Sequence, residues 1–152
     1  MLVKTLLEEK PAELITIKPE TSLDDAMALM LEKNIGCLLI LDSNKKLAGI
    51  LSDRDIFKSV YKTKGDYQSM KVKDIMTVAV ISGKVTDEVS NIAWVMQKNY
   101  IRHIPIVENK DIVGLVSQRD ILKYEIERQE IDNRYLQQHM DGTHTRDRSA
   151  DL

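Results

Sequence analysis

The feature that most constrains the fold of this chain is a short motif that occurs twice. Residues 49–56 (GILSDRDI) and 114–121 (GLVSQRDI) share a glycine, two apolar residues, a serine and an Arg-Asp pair. The two serines, Ser52 and Ser117, lie 65 residues apart. Self-similarity at a long fixed period indicates a duplicated structural unit. We therefore expect the chain to be built from two copies of one supersecondary unit.

Each copy of the motif predicts a strand that ends at the serine, followed by a helix that the serine caps. A helix start presents unpaired N–H groups and the positive end of its dipole, which favour a phosphate. The aspartate three residues later, Asp55 or Asp120, has oxygens that can accept hydrogen bonds from two sugar hydroxyls. The plain alternative is that the serine and the aspartate only cap a helix. A second copy that keeps the arginine favours a ligand.

Hydrophobic periodicity predicts the same β-α-β-β-α order in both copies. The expected elements of the first copy are a strand over residues 13–18, a helix from Thr21 or Ser22 to near Asn34, strands over 36–41 and 47–52, and a helix over 53–61. Those of the second copy are a strand over residues 78–81, a helix capped by Asp87, strands over 104–107 and 112–117, and a helix starting at Asp120. We also expect a leading helix near residues 2–7, a polar linker over 63–69 and a short helix over 71–76.

The chain changes in character after Glu125. Residues 126–140 are highly charged, with a stripe formed by Ile131, Tyr135, Leu136 and Met140. Two alternatives stay open: the stripe packs on a partner chain, or the segment is a solvated extension of the closing helix. Residues 141–152 are polar until their end, and we expect them to be disordered.

Composition excludes several classes of function. The chain has 152 residues, of which 43% are hydrophobic and 30% charged, with a formal net charge of −2. It lacks the excess of positive charge that favours nucleic acids or anionic membranes, and we expect neither as a partner. No apolar stretch approaches the length of a membrane span, and the first ten residues lack the apolar core of a signal peptide, so we expect a cytoplasmic protein. Cys37, the only cysteine, lies in an apolar run and is expected to be a small buried residue rather than a reactive thiol.

The ordered set of motifs resembles the CBS domain pair, also called a Bateman module. The resemblance covers roughly residues 6–126 and is carried by residues 21–26 (TSLDDA), 34–38 (NIGCL), 49–56, 73–77 (KDIMT), 101–107 (IRHIPIV) and 114–121. It implies an α/β fold of two CBS repeats related by a pseudo-twofold axis, in a stand-alone protein without an attached enzyme or channel. The expected divisions are residues 6–62 for the first repeat, 63–71 for a linker, 72–126 for the second repeat and 127–152 for a helical extension and tail.

The resemblance also implies a regulatory role without catalysis. The clefts between such repeats bind AMP, ADP or ATP, sometimes NAD(H) or S-adenosylmethionine, and the module passes that state to a partner protein that this chain does not identify. No catalytic cofactor or metal is implied. Carried over by position, the ribose and phosphate residues are Asp55, Asp120, Ser52 and Ser117. The purine-contacting candidates are Thr16, Gly36, Cys37, Leu38, Val80, His103, Ile104 and Pro105.

The two repeats differ in the charge that they offer a phosphate. A phosphate favours arginine, and Arg54, Arg102 and Arg119 are the candidates. Arg102 and His103 stand where the first repeat has Gly36 and Cys37. We therefore expect a cleft lined by the first pair to bind phosphorylated adenosine more tightly than a cleft lined by the second, with His103 adding charge as the pH falls towards 6. Asp120 is expected at an exposed helix start.

Three further expectations concern assembly and competing functions. Helices bearing Met27, Met30, Met96 and Ile121 are expected to leave apolar surface for a second copy, giving a homodimer, although methionines at helical spacing are more often core. A module that binds no ligand and only dimerises or docks onto another protein is the main alternative. A hydrolase using Ser117, His103 and Asp120 is less favoured, because the first repeat keeps the serine and aspartate without a histidine.

Overall fold

The computed structural model describes residues 1–10 and 13–144. Its elements in chain order are α1 (Val3–Glu9), β1 (Thr16–Ile17), α2 (Leu23–Lys33), β2 (Cys37–Leu41), β3 (Leu47–Ser52), α3 (Asp53–Lys62), a 3-10 helix (Val72–Asp74), α4 (Val89–Asn99), β4 (His103–Glu108), β5 (Asp111–Ser117) and α5 (Gln118–His144). One sheet has the order β1-β2-β3, with β1 parallel and β3 antiparallel to β2, and the other is the antiparallel pair β4-β5. The predicted α/β fold with two related units is confirmed.

Most helix boundaries follow from local side-chain chemistry. Ser22 caps α2 by accepting the Asp25 N–H at 3.1 Å, and the helix ends at Asn34, both as predicted. Asn34 has the left-handed conformation that is common at helix C-termini. The expected cap of α4 is wrong, because the residue before the helix is Glu88, which makes no side-chain cap. The Asp87 carboxylate instead accepts the Lys84 N–H at 2.8 Å and closes the turn ahead of the helix.

The apolar side chains form two cores, one under each repeat. The first core comprises Leu23, Ala26, Met30, Leu38, Ile40, Leu51, Ile56 and Val72. The second comprises Val3, Leu6, Val89, Ile92, Met96, Ile104, Ile106, Val116 and Ile121. Helix α1 therefore packs on the second repeat although it precedes the first in the sequence. Backbone bonds from the Val3 N–H to the Asp87 carbonyl and from the Val89 N–H to the Met1 carbonyl, both 2.9 Å, hold it there.

The methionines of the helices that are expected to leave apolar surface for a second chain are mostly core residues, as their helical spacing indicates. Met30 and Met96, with Ile121, are buried, and Met27 is half-buried against the first core. The large exposed apolar side chains of these helices include Leu31 on α2, Trp94 on α4 and Leu122 on α5. The helical period turns these methionines towards the sheet, and other side chains of the same helices supply the exposed apolar surface.

The opening strand expected over residues 78–81 does not form. The segment makes only single bridges at its ends, Thr77 with Ile50 and Gly83 with Ile106. Gly83 takes the place that Ile17 has beside Ile40 in the first repeat. A Cβ on Gly83 would lie 2.6 Å from Ile92 Cδ1, so the second core has no room for a larger side chain there. Of the intervening apolar residues, Val78, Ala79 and Ile81 are exposed and Val80 is half-buried, and all but Val78 line the cleft described below.

Helix α5 extends well past the second repeat, to His144. Residues 141–144, expected to be disordered, are helical, and the rest of that expected tail lies outside the described residues. Ile131, Tyr135, Leu136 and Met140 are all exposed, but at 3.6 residues per turn Ile131 and Met140 point to opposite sides. The predicted single stripe is therefore wrong. Within residues 1–10 and 13–144, no helix combines the length and apolar character of a membrane span.

The two hairpins face each other with matching positions in contact. Lys46 Nζ lies 3.0 Å from Asp111 Oδ1, and these residues occupy equivalent places in the two hairpins. The same backbone bond also recurs in each repeat, from the Asp53 N–H to the Gly36 carbonyl and from the Gln118 N–H to the Arg102 carbonyl. Contact between equivalent positions is what a pseudo-twofold axis between the hairpins produces. This arrangement brings the start of each strand pair to a shared groove.

The two motif glycines give a matched test of packing. A Cβ on Gly49 would lie 2.8 Å from Met76 Sδ and 2.9 Å from the Thr77 carbonyl oxygen, whereas the three atoms nearest to a Cβ on Gly114 all belong to the side chain of Leu7. Overpacking costs about 1–3 kcal/mol, and a flexible side chain yields more readily than backbone. We expect Gly49→Ala to lower the free energy of unfolding more than Gly114→Ala, as measured by urea denaturation. A Gly114→Ala variant that is equally or more destabilised would contradict this account.

Candidate functional site

A cleft of about 380 Å³ opens between the two repeats on the side of α3, and we call it the open cleft. A volume of this size is within the range of small-molecule sites. The first repeat contributes Cys37, Ile50, Ser52, Arg54, Asp55 and Lys58. The second contributes Thr77, Ala79, Val80, Ile81, Asn99, Tyr100, Ile101, Arg102 and His103.

Asp55 is fixed in the open cleft by the residue that caps its helix. The Ser52 N–H and hydroxyl both donate to Asp55 Oδ2 at 3.0 Å, and Ser52 Oγ accepts the Asp55 N–H at 3.2 Å. Both bonds to the carboxylate use one oxygen, and a carboxylate has about four lone-pair positions. Asp55 therefore combines a capping role with acceptor capacity directed at the cleft.

Positive charge surrounds this carboxylate. Arg54 and Lys58 are exposed on the first two turns of α3, and Arg102 reaches across from the second repeat. Arg102 Nη2 lies 2.5 Å from Asp53 Oδ1, with both side chains about half exposed. An exposed pair of this kind contributes little to stability and can exchange partners. The open cleft thus offers two cations directly and a third through exchange.

Two residues beside these charges remain uncharged over much of the pH range. Burial, with the carboxylates of Asp55 and Asp53 nearby, raises the pKa of the Cys37 thiol to about 12, which confirms Cys37 as a buried, unreactive residue. Burial also lowers the pKa of His103, and the Arg102 guanidinium lowers it further, against the opposing effect of Asp53 and Asp120. His103 therefore gains its charge at lower pH than expected, and the predicted help near pH 6 is reduced.

The equivalent carboxylate of the second repeat has a different environment. Ser117 makes the same bonds to Asp120 that Ser52 makes to Asp55. In addition, Lys10 Nζ lies 2.5 Å from Asp120 Oδ2 and 3.5 Å from the Leu115 carbonyl oxygen. The Asp120 side chain is only 17% exposed, so its expected position at an exposed helix start is wrong. Burial opposes its ionisation, but bonds from Lys10 and Ser117 outweigh burial and lower the pKa of Asp120.

The structure brings seven of the fifteen sequence-predicted site residues together. Those lining the open cleft are Cys37, Ser52, Arg54, Asp55, Val80, Arg102 and His103. Leu38, Ile104 and Pro105 are fully buried, Thr16 is exposed on β1, and Arg119 is exposed on α5. Gly36 lies at the edge, where a Cβ would be 3.2 Å from Asp53 Oδ2. Ser117 and Asp120 lie at the Lys10 contact.

The expected division of residues between two clefts is also corrected. The sequence predicts Cys37 in one cleft and the Arg102–His103 pair in the other, but all three residues line the open cleft. The reason is the axis between the hairpins, which places the beginnings of β2 and β4 at one groove. Gly36 is close enough to His103 for a Cβ to lie 3.9 Å from its ring.

Sequence reasoning missed more than half of the cleft lining. Lys58 had a usable signal, because it lies four residues after Arg54 and so shares a helix face with it. Ile50 lies two residues before Ser52 on the same strand face. Tyr100 had no such signal, because it reaches the cleft as the left-handed residue that ends α4, with a φ of 55°. The other missed residues are Thr77, Ala79, Ile81, Asn99 and Ile101.

The contacts do not have the order of a hydrolytic triad. Ser117 Oγ donates directly to Asp120 Oδ2 at 2.7 Å, whereas a triad serine donates to the histidine. Within residues 1–10 and 13–144, no hydrogen bond joins the His103 ring to Ser117 or Asp120. The described residues also hold no group of three or more histidine, cysteine or acidic side chains placed to bind a metal ion.

Comparison with known protein families gives a match over most of the chain. A family model described as the CBS domain matches residues 10–62 and 72–127. Protein MJ1404 of Methanocaldococcus jannaschii is 34% identical over 122 residues, which is 72% of this chain and 29% of that protein. The chain spans 29%, 21% and 40% of the length of three curated relatives that it matches.

Two similar solved structures contain small molecules. One is the CBS domain pair of protein MJ0100 in complex with 5-methylthioadenosine and S-adenosyl-L-methionine, with a TM-score of 0.75, 29% identity and coverage of 84% of this chain and 98% of that chain. The other is CBSX2 in complex with AMP, with a TM-score of 0.64, 26% identity and coverage of 77% of this chain and 90% of that chain. The repeats of this chain thus have the fold of proteins crystallised with adenosine compounds.

The environment of Asp120 predicts a pH-dependent contribution to stability. A carboxylate whose pKa is lowered on folding stabilises the folded state above its unfolded pKa of about 3.9, and that stabilisation is lost as the pH falls through the lower, folded pKa. We expect Asp120→Asn to reduce the free energy of unfolding by about 1.5–3 kcal/mol at pH 7, towards the lower end because Lys10 is partly exposed. The difference from wild type should shrink as the pH falls from 5 to 3 in urea titrations.

Asp111→Asn is the control for this measurement. Asp111 also pairs with a lysine, but its side chain is 69% exposed, and such surface pairs contribute little. Its variant should follow the wild type at every pH. A wild-type advantage over Asp120→Asn that grows on acidification would contradict the assigned ion pair.

Proposed function

The chain belongs to the CBS domain family, and on that premise we propose that it is a regulatory module that binds a phosphorylated adenosine in the open cleft. Binding reports the state of the adenine nucleotide pool to a partner protein, without catalysis by this chain. Three features support the proposal: the family, the adenosine compounds held by two solved relatives, and the charges of the cleft. The observation that carries it is a helix-anchored carboxylate with cations on both sides.

The charges of the cleft favour a phosphate over other adenosine compounds. Asp55 is the acceptor for the two ribose hydroxyls, because a carboxylate can receive both. Arg54, Lys58 and Arg102 then provide the positive field for a phosphate group. S-Adenosylmethionine carries a positive sulfonium, which this field disfavours. AMP, ADP or ATP is therefore the preferred ligand class, ahead of NAD(H) and S-adenosylmethionine.

The remaining lining suits an aromatic base. Ile50, Val80, Ile81 and Ile101 provide apolar surface, and Tyr100 adds an exposed ring at the mouth. Apolar walls with a few polar groups that fix orientation are typical of small-molecule sites. In this arrangement the base contacts the apolar wall while the sugar and phosphate lie at the start of α3.

Ligand binding directly changes a contact between the two repeats. Arg102 belongs to the second repeat and pairs with Asp53 of the first. A phosphate that takes the Arg102 guanidinium competes with Asp53 for the same donors. Binding therefore replaces a bond between the repeats by a bond through the ligand, and a partner that recognises the relative position of the repeats would respond.

The alternative is a module that works without a ligand, through protein contacts alone. It is favoured by large exposed apolar side chains, Leu31 and Trp94 among them. These contacts are compatible with ligand binding, and we extend the proposal to a homodimer that uses the faces of α2 and α4. Closed dimers are the commonest assembly of soluble proteins.

Replacing Asp55 and Arg102 tests the ligand and its orientation. We expect Asp55→Ala to weaken AMP binding about tenfold to a hundredfold, because hydrogen bonds to a charged group are lost. Arg102→Ala should weaken AMP more than adenosine, because only AMP carries the phosphate. Isothermal titration calorimetry of the wild type and variants with AMP, ATP, adenosine and S-adenosylmethionine provides the measurement.

Arg128→Ala is the matched control, since it removes an exposed arginine of α5 outside the open cleft. Its affinity for AMP should equal that of the wild type. Absence of binding by any of the four compounds would favour the ligand-independent alternative. Equal losses for AMP and adenosine in Arg102→Ala would rule out the phosphate contact.

The proposed homodimer is tested separately, by measuring the molecular mass in solution. Light scattering at tens of micromolar should give twice the chain mass, and Trp94→Glu should shift it to the mass of one chain because a buried charge disrupts an apolar interface. Leu136→Glu, on the exposed far part of α5, should leave the dimer intact. A wild-type protein that is monomeric at this concentration would exclude the proposed assembly.

A further inference from the structure

We propose that this chain contains a second, masked adenosine-phosphate site at Asp120, which is filled by the side chain of its own Lys10. The proposal rests on the function proposed above, because it assigns the same ligand class to the second repeat. The chain then has one accessible ligand site although its motif occurs twice, because Lys10 blocks the second.

The position of the Lys10 ammonium follows from the correspondence between repeats. Its two acceptors are Asp120 Oδ2 and the Leu115 carbonyl oxygen. Asp120 and Leu115 are equivalent to Asp55 and Ile50, and both of these line the open cleft. The ammonium therefore lies at the place in the second repeat where the open cleft presents its ribose-binding carboxylate.

The packing of α1 holds Lys10 at this place. Val3 and Leu6 belong to the second core, and the Lys10 N–H donates to the Leu6 carbonyl at 3.1 Å. Leu7 lies against Gly114, just as Met76 lies against the equivalent Gly49. The end of α1 thus takes the place in the second repeat that residues 76–77 have in the first.

Residues 76–77 and the end of α1 differ in how they contact the neighbouring carboxylate. Thr77 bonds to Ile50 only through the backbone, at 2.9 and 3.0 Å, and leaves the Asp55 carboxylate to Ser52. Lys10 lies between strand β5 and the carboxylate and donates to Asp120. An ammonium has three donors and supplies the charge-assisted bonds that ribose hydroxyls would otherwise make. A ligand must therefore displace Lys10 before it can use Asp120.

The surroundings explain why a phosphate does not displace Lys10 unaided. A hollow of about 310 Å³ remains beside the ion pair, and its lining includes Glu9 and Glu127 as well as Lys123. These carboxylates repel an approaching phosphate. The second repeat nevertheless keeps Arg119 and Lys123 at the positions of Arg54 and Lys58, so the masked site retains cations for the same ligand class.

Binding stoichiometry on the full chain tests the proposal. Calorimetry with AMP should give one site per chain of wild-type affinity for the wild type and for Asp120→Ala, and a site weakened about tenfold to a hundredfold for Asp55→Ala. Lys10→Met keeps an unbranched side chain one atom shorter, removes its charge and should give two sites. The double variant Asp55→Ala/Lys10→Met should keep one strong site, and adding Asp120→Ala should weaken that site about tenfold to a hundredfold as well.

Lys4→Met is the matched control, because Lys4 is an exposed lysine on the same helix. It should leave the wild-type stoichiometry of one unchanged. Thermal melts of each variant confirm that it is folded. If Lys10→Met does not fold, the comparison of Asp55→Ala with Asp120→Ala in the wild-type background still decides, because a weakened site in Asp120→Ala places the accessible site at Asp120.

Failure of this inference is distinguishable from failure of the proposed function. The masked site would be overturned if the wild type bound AMP at two sites. It would also be overturned if the folded Lys10→Met variant bound AMP at one site, as the wild type does. Both results would leave the open cleft in place. A wild type that binds no AMP, with a Lys10→Met variant that binds one through Asp120, would support the masked site and overturn the open cleft. Absence of binding in both would overturn both.

Discussion

The reciprocal hydrogen bonds between a serine and the aspartate three residues later are the interaction on which both halves of this structure depend. In each repeat they join the end of a hairpin to the start of a helix, at Ser52 with Asp55 and at Ser117 with Asp120. Because the serine bonds fix the carboxylate against the helix start, the same group caps the helix and faces the cleft. Helix capping and ligand binding, which the sequence presents as alternatives, are therefore compatible roles for one side chain.

Both repeats have these serine–aspartate hydrogen bonds, and they differ in the segment that lies next to the carboxylate. In the first repeat the neighbouring segment at Thr77 pairs through its backbone and leaves the carboxylate accessible. In the second the neighbouring segment is the end of α1, and its Lys10 neutralises the carboxylate. A symmetric backbone thus supports two unlike sites, because the segment that completes each cleft comes from a different part of the chain and carries a different side chain. The proposed asymmetry of function follows from this exchange of one neighbour.

The difference in charge between the repeats does not produce two clefts of unequal positive charge in the way that the sequence predicts. Gly36 and Arg102 occupy equivalent positions, and the contrast between them predicts one weakly and one strongly cationic cleft. The pseudo-twofold axis brings these positions together, so that Arg102 pairs with Asp53 of the opposite repeat at the open cleft. The arginine is therefore part of the contact between repeats as well as a candidate phosphate ligand. Its lost bond on phosphate binding is the physical basis for the proposed signal.

The sequence by itself determined the features that depend on near neighbours. These are the duplicated unit, the hairpins, the Ser22 and serine-motif caps, the end of α2 near Asn34, and the buried Cys37 within its apolar strand. These features follow from periodicity and from side chains within a few residues of each other. The tertiary structure alone decided that α1 joins the second core, that residues 78–81 stay out of the sheet, that Tyr100 lines the open cleft and that Lys10 reaches Asp120. Each of these depends on contacts between residues far apart in the chain, up to 110 residues for Lys10 and Asp120. A local pattern carries no information about such a distance, because the pairing is set by how two cores pack around a shared axis.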